Sequence, residues 1–477
     1  KIKIEGIGGS GDIVDDGGGV WIYGANITAK DLEIKGYGGQ GNNFTTVTWG
    51  TDINKSNVSV NGVLDIYGKG GIATTRIQGV KPSENGGVYI YSSTFNMPNS
   101  TSLTISGEAG DGGESGIGTA LQINQWSVGG DTTISGKGGD GNDLFLSAGV
   151  TIDSDVWSIN GDLTIDGDGG KGVKTTANYG VGLVATKLIA NSITVNGDGG
   201  SSTNTDQSQQ NYGAGFLFSD IQATSGDFVV NANGGSGGYD NTGVGILASN
   251  LTAPNGIVNI NGYGGSGKIV RENNGVGIWS AQADELSTYS TYSGINLNLF
   301  DTYIDSNNHT WYGNKIEAAR IDIRGEGGIP TDKNHSLKNF GISMDDTKLI
   351  SSGTMNIYGK GGDGGQSIAG INIKDATLTS AGDTTITGIA GEGDRVTKGE
   401  GIIFDSSRLT VSSANQIKLI GTGSGVDTET QVKTVNRLER GEGIKITHST
   451  ITSLTSSPTI EINGTGGEAE DKINSQD

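Results

Sequence analysis

Aliphatic residues recur along this chain in pairs two positions apart, and each pair runs into a glycine cluster of the form I-x-G-x-G-G. Copies read EIKGYGGQG at Glu33–Gly41, TISGKGGDG at Thr133–Gly141, TIDGDGGKG at Thr164–Gly172, NINGYGGSG at Asn259–Gly267 and NIYGKGGDG at Asn356–Gly364. Two residues before the first glycine stand Ile4, Ile34, Ile66, Ile105, Ile134, Ile165, Val195, Val230, Ile260, Ile323, Ile357, Ile386, Leu419 and Ile462. All fourteen are aliphatic, and one copy carries Ala232 in place of the glycine. Four residues before it stand Ile2, Leu32, Leu64, Leu103, Thr132, Leu163, Ile193, Phe228, Val258, Ile321, Met355, Thr384, Ile417 and Ile460. A spacing of two puts both columns on one face of a strand, with polar residues between them facing out. β-Branching favours the same extended backbone.

A second period-two strand lies upstream in most repeats, as in GVWIYG at Gly19–Gly24, GVYIYS at Gly87–Ser92, GVGLVA at Gly180–Ala185 and GIKITH at Gly443–His448. Its inward residues include Val20 and Ile22, or Val181 and Leu183. Shorter elements such as NITA, KLIA and NLTA sit between the two strands. Intervals near 30 residues signal a solenoid. Three short strands per repeat predict one rung of a right-handed parallel β-helix of about 14–15 coils, one ~30-residue repeat per coil. The glycine cluster is expected to form the sharp corner, because glycine enters φ > 0 without a steric penalty. The polar stretches after it, such as SSTNTDQSQQNY, are expected to be surface loops. No single coil can bury its own apolar face, so stacking makes the core. At ~4.8 Å per stacked strand, about fifteen coils give a rod roughly 70 Å long.

The pattern divides the chain into coils over residues 1–285, an interruption over 286–313 and coils again over 314–477. The interruption lacks a glycine cluster and concentrates Tyr289, Tyr292, Phe300, Tyr303, Trp311 and Tyr312. It reads either as a degenerate coil, with INLNLF as its strand and its rings inside, or as a protruding loop. In the second case Tyr289, Tyr292, Tyr303, Trp311 and Tyr312 are candidate partner-binding residues, stacking on a sugar or a protein.

Composition narrows the class. Eighty-six glycines and 32% hydrophobic residues in 477 cannot fill several compact cores, while the regular return of Ile, Val and Leu argues against disorder. A net charge of −21 weighs against nucleic acid and anionic membranes as partners. The absence of cysteine removes disulfides and thiolate metal sites. No apolar run reaches the length of a membrane span, and no signal peptide is discernible. The chain opens mid-strand in KIKIEG and stops in the polar EDKINSQD, as a processed product or a piece of something longer is expected to do.

Candidate chemistry is sparse. GGDGNDLFL at Gly138–Leu146 matches a calcium-binding nonapeptide, which makes Asp140 and Asp143 candidate calcium ligands. Such sites need tandem copies at nine-residue spacing, and the next copy lies about thirty residues on. The other acidic turns, Asp12, Asp15, Asp16 and Asp240, read as solvated charge. No cofactor is expected otherwise, and G-x-G-G without a following helix is not a phosphate cradle. Three histidines, His309, His335 and His448, form no repeated constellation, and no acidic register is discernible in adjacent coils. Asp345 and Asp346 in ISMDDTK are the nearest carboxylate pair. As strand neighbours they are expected to face opposite sides. The chain is therefore read as not an enzyme.

The unit G-V-x-I-x-x-S-x-I-x-S-x-x-x-I-x-I-x-G-x-G-G-x-G, clearest at Gly370–Gly393 and Gly180–Gly200, resembles the repeats of filamentous haemagglutinin-like exoproteins of two-partner (type V) secretion. The resemblance covers nearly the whole chain apart from Leu286–Gly313. It implies an extracellular or cell-surface location and a structural or adhesive shaft without the secretion domain, whose Asn-Pro-Asn motifs do not occur here. Its implied partners are other cells, glycans or surface proteins, and copies of itself end to end or side by side. The alternative is an extracellular polysaccharide-binding or polysaccharide-cleaving β-helix of the tailspike or lyase kind. A calcium-dependent surface-layer component is a third reading.

Overall fold

Short β-branched segments separated by glycine and polar residues can satisfy their backbone only by pairing with the next copy of themselves. The computed structural model shows this pairing. It describes residues 1–14, 17–44, 48–73, 85–112, 115–203, 210–237, 239–267, 272–282, 302–304, 310–330, 337–364, 366–393, 395–396, 399–413, 416–424, 437–438, 441–454 and 459–467. No helix occurs among the described residues, and thus none long and apolar enough to cross a membrane.

Each coil contributes three strands, and each stacks parallel on its counterpart in the next coil. The third strand, which ends in the glycine cluster, places Ile4 against Ile34 and Ile34 against Ile66. The register continues through Ile105, Ile134, Ile165, Val195, Val230, Ile260, Ile323, Ile357, Ile386 and Leu419 to Ile462. All fourteen aliphatic positions of the sequence column therefore form one ladder. The first strand forms a second ladder, beginning Val20–Tyr23, Thr51–Asn54 and Val88–Tyr91 and running to Ile444–Thr447. The short middle element forms a third, as in Asn26–Ala29 on Asn57–Val60. The architecture is a parallel β-solenoid. One hydrophobic core runs through it, from Val20 and Ile22 to Ile417 and Leu419. Within that core the rings of Phe95, Trp126 and Trp157 stack in register, 3.9 Å and 4.2 Å between centroids.

The corners work differently from expectation. Among the described glycines only Gly24, Gly112, Gly237 and Gly364 have φ in the left-handed region, the last three closing the glycine cluster of their coils as expected. The left-handed corner that recurs from coil to coil lies between the first and middle strands. Gly24 and then Lys55, Ser92, Ile123, Ser154, Ala185, Phe218, Ala248, Asp346, Asp375, Ser406 and His448 take φ near +50° there. The glycine clusters serve close approach. A Cβ on Gly36 would overlap the carbonyl oxygen of Gly50, and the same holds for Gly68 with Gly87, Gly136 with Gly149 and Gly388 with Gly401. The chain leaves the third strand and returns to the first through a neck of two touching backbones.

A buried polar column follows the left-handed corner. The Ser56 amide donates to Ser93 Oγ at 3.1 Å, the Ser93 amide to Asn124 Oδ1 at 2.9 Å and the Asn124 amide to Asp155 Oδ1 at 2.7 Å. Thr186, Ser219, Ser249 and Asn314 continue it, and Ser407 donates to Ser449. Each side chain thus satisfies an amide that the turn removes from the ladder.

Two further expectations change. Several stretches expected as loops are strands: Gly11–Val14, Gln40–Phe44 and Ile72–Ala73 form a parallel sheet of their own. Gly141–Asp153 and Lys171–Val184 run straight from the glycine corner into the first ladder. At the interruption, the coils on either side pair directly, Leu251 on Ile316 and Ile260 on Ile323. The described parts of the interruption, with Ala281–Gln282, make a three-stranded antiparallel sheet of Ala281–Gln282, Thr302–Ile304 and Thr310–Tyr312. INLNLF lies outside the described residues.

Candidate ligand-binding groove

Period two dictates that alternate residues of the first strand point outward. In register these form two outer columns. One runs Trp21, Asp52, Tyr89, Ala120, Thr151, Gly182, Gly215. The other runs Tyr23, Asn54, Tyr91, Gln122, Asp153, Val184, Leu217. The first column shrinks from aromatic to Ala and Gly, and a concavity of about 390 Å³ opens there. Ala120, Thr151, Gly182 and Gly215 are its floor. Trp49, Tyr89, Leu146 and Tyr179 wall one side, and Gln122, Asp153, Val184 and Leu217 the other.

The aromatic wall is ordered by contact. Trp49 and Tyr89 stack at 5.0 Å and 20°, Tyr89 and Tyr91 at 6.1 Å and 17°. Tyr179 lies against Tyr212 at 5.6 Å, and burial pushes the Tyr212 hydroxyl up, keeping it protonated. The polar edge is bonded as a chain. Tyr89 Oη donates to Gln122 Oε1 at 3.2 Å, and Gln122 Nε2 donates to Asp153 Oδ2 at 3.2 Å. Ser154 Oγ donates to Asp153 Oδ1 at 2.8 Å. Among the described residues no Lys, Arg or His lines the groove. Aligning the repeats on the first glycine hides this site. Aligning them on the glycine that opens the first strand puts Trp49, Tyr179, Tyr212 and Phe340 directly before that glycine, which is the readable signal.

The residues singled out by sequence lie elsewhere. Tyr289 and Tyr292 fall outside the described residues, as do His309, His335, Asp15 and Asp16. Tyr303 and Trp311 pair through their backbones in the antiparallel sheet. The half-buried Tyr312 packs with Leu217 and Leu247 against Phe218, Ala248 and Ala281. Asp140 is exposed, and its Oδ1 accepts the Lys171 amide of the next coil at 2.9 Å. Asp143 lies in a strand, opposite Lys174. Asp12 lies in Gly11–Val14, and Asp240 bridges Gln210 and Glu272 through its backbone.

Asp345 and Asp346 do not face opposite sides. Asp345 ends its strand, but Asp346 is the left-handed corner residue at φ 45°, and that turn swings its carboxylate back. Carboxylate oxygens of Asp345, Asp346 and Asp375 lie within 4.8 Å of one another, and Asp405 follows Lys374 in register in the next coil. The corner is thus acidic in two adjacent coils, at Asp346 and Asp375, while the strand column beside it alternates Asp345, Lys374 and Asp405. Burial pushes the Asp345 carboxyl up, Lys374 opposes this and Asp346 adds to it. A raised carboxyl beside other carboxylates is what acid–base chemistry requires. Lys374 answers much of the charge, 3.0 Å from Asp375 and 3.5 Å from Asp345. His448 Nδ1 sits 3.6 Å from Asp405.

Comparison of the chain with protein-family models, with curated proteins and with solved structures returns no match. The molecule is defined here as a parallel β-solenoid repeat protein.

Proposed function

We propose that this chain is a structural and adhesive shaft segment of a secreted or cell-surface filamentous protein, serving attachment or filament formation. The observation that carries this reading is the unbroken register from Ile4 to Ile462 around one core. Such a body extends by adding coils and presents the same faces along its length. Its partners on this reading are other cells, glycans, surface proteins or further copies of itself, and the resemblance to haemagglutinin-like exoproteins supports an extracellular setting. Immunogold electron microscopy on intact source cells, with an antibody raised against this chain, tests it. Label along thin surface fibres is expected; label confined to the medium, with bare cells, defeats it.

The acidic corner at Asp345, Asp346 and Asp375 favours a second reading, an extracellular polysaccharide-cleaving β-helix. Release of new reducing ends from a panel of polysaccharides, lost in Asp345→Asn and Asp346→Asn, is the outcome that reading requires.

A further inference from the structure

We propose that the groove on the outer face of the first ladder, between Trp49 and Leu217, binds a neutral oligosaccharide laid along the solenoid axis. The proposal deepens the adhesive reading, on which it rests for its biological setting, by giving that reading a ligand class and a location.

A pyranose presents an apolar C–H face and a rim of hydroxyls, so its sites pair aromatic faces with a few fixed polar groups. The groove offers both. The rings of Tyr89 and Tyr179, with the nearly buried Trp49 stacked behind Tyr89, line one wall, and Gln122, Asp153 and Thr151 supply polar groups on the other wall and the floor. Each Asp153 oxygen already accepts one hydrogen bond, and a carboxylate oxygen holds two lone pairs, so both can accept again from sugar hydroxyls. A volume of about 390 Å³ is within the range of small-molecule sites.

The floor is periodic in a way that suits a polymer. Ala120, Thr151, Gly182 and Gly215 occupy successive rungs, roughly 4.8 Å apart, about the length of one sugar unit. A Cβ on Gly182 would meet nothing within 4 Å, so the space above the floor is open. Exposed Trp21 and Tyr23, in contact at 6.2 Å, continue the aromatic tract beyond the Tyr89 end.

Charge and topology select among ligands. Among the described residues the groove holds a carboxylate and no cationic side chain, on a chain of net charge −21, which disfavours uronates and sulfated glycans. Every strand of the floor is paired on both sides, which leaves no edge for an added peptide strand. A lipid tail would strip water from Gln122, Asp153 and Thr151 without replacing their hydrogen bonds.

The test is an array of neutral and anionic oligosaccharides probed with the purified 477-residue chain, followed by titration calorimetry on the best ligand. Neutral hexose oligomers are expected to bind, with longer chains tighter and acidic ones silent. Tyr89→Ala removes an aromatic face, and Gly182→Leu fills the open space above the floor. Each is expected to weaken binding at least tenfold; Gly182→Leu does so with the melting temperature unchanged, whereas Tyr89→Ala, which loses two ring contacts and a hydrogen bond, also lowers it. No binding by any neutral oligosaccharide at millimolar concentration overturns the proposal. So does binding that both variants leave intact, or binding of anionic glycans or lipid alone. Because the readout is binding by purified protein, its failure is separable from failure of the labelling experiment on cells.

Discussion

Asp155 occupies a buried column whose other members, from Ser56 to Ser407, are neutral. It accepts from the Asn124 amide at 2.7 Å and from Trp126 Nε1 at 3.1 Å, yet burial pushes its carboxyl up to about 7, against an ordinary 3.8. The folded state thus holds this proton to higher pH than the unfolded chain does. Its burden on stability is absent below about pH 4, grows as the pH rises towards 7 and is constant above that. Between pH 4 and 8 the native protein should lose on the order of a few kcal/mol through this group. Asp155→Asn should flatten that slope, whatever constant offset the amide adds. Thermal unfolding of both proteins across that range checks it, and parallel slopes would refute it. Ile123 is the β-branched member of the left-handed corner, at φ 58°. Ile123→Asn should stabilise by about 1 kcal/mol, since asparagine tolerates that conformation, readable as a higher denaturant midpoint. Neither feature could be read from sequence with its mechanism attached. The repeat unit shows a recurrent serine, but its hydrogen bond reaches across to the next coil. The corner's occupants, Lys55, Ser92, Ile123, Ala185, Phe218 and Asp346, share no chemistry by which a column could be noticed.

At the scale of the element, strands and register were legible because one physical demand, a buried β-branched residue every second position, selects one residue class. Ile34, Ile66 and Ile105 are fully buried where the sequence column put them. The glycines were legible as positions, but except at Gly112, Gly237 and Gly364 they were misread as to cause, because φ > 0 and the exclusion of a Cβ select the same residue. The neck makes the distinction measurable. Gly136→Ala puts a methyl on the Gly149 carbonyl and should cost roughly 2 kcal/mol as an overpacked contact. Gly182→Ala, with open space, should be close to neutral in the same thermal assay. Equal losses at both sites would mean that the neck imposes no special constraint. One coil already bears such a methyl, Ala232, which is buried. The groove escaped because its walls come from residues of several coils, and the Asp345–Asp346 pair because a single left-handed residue reverses the strand alternation.

Across the whole molecule each coil touches only its neighbours, so energetic coupling should be short-ranged. Ile134 and Ile165 are partners in adjacent rungs, while Ile66 and Ile386 are separated by many. Alanine substitutions at the first pair should show a coupling of 0.5 kcal/mol or more, on the order typical of contacting residues. The distant pair should add to within about 0.5 kcal/mol. A double-mutant cycle by chemical denaturation decides this, and a large coupling between the distant pair would mean that the rod unfolds as one indivisible body. The necks carry a last consequence. Ten residues separate Gly107 from Gly118, and 21 separate Gly421 from Gly443, yet in both coils the third strand and the next first strand keep their places in the ladders. The ladder is therefore indifferent to what is threaded between two glycines, and lengthening such a segment is entropically mild. A lineage carrying this scaffold can rewrite its outer surface coil by coil, while the inherited frame that keeps the protein folded goes untouched.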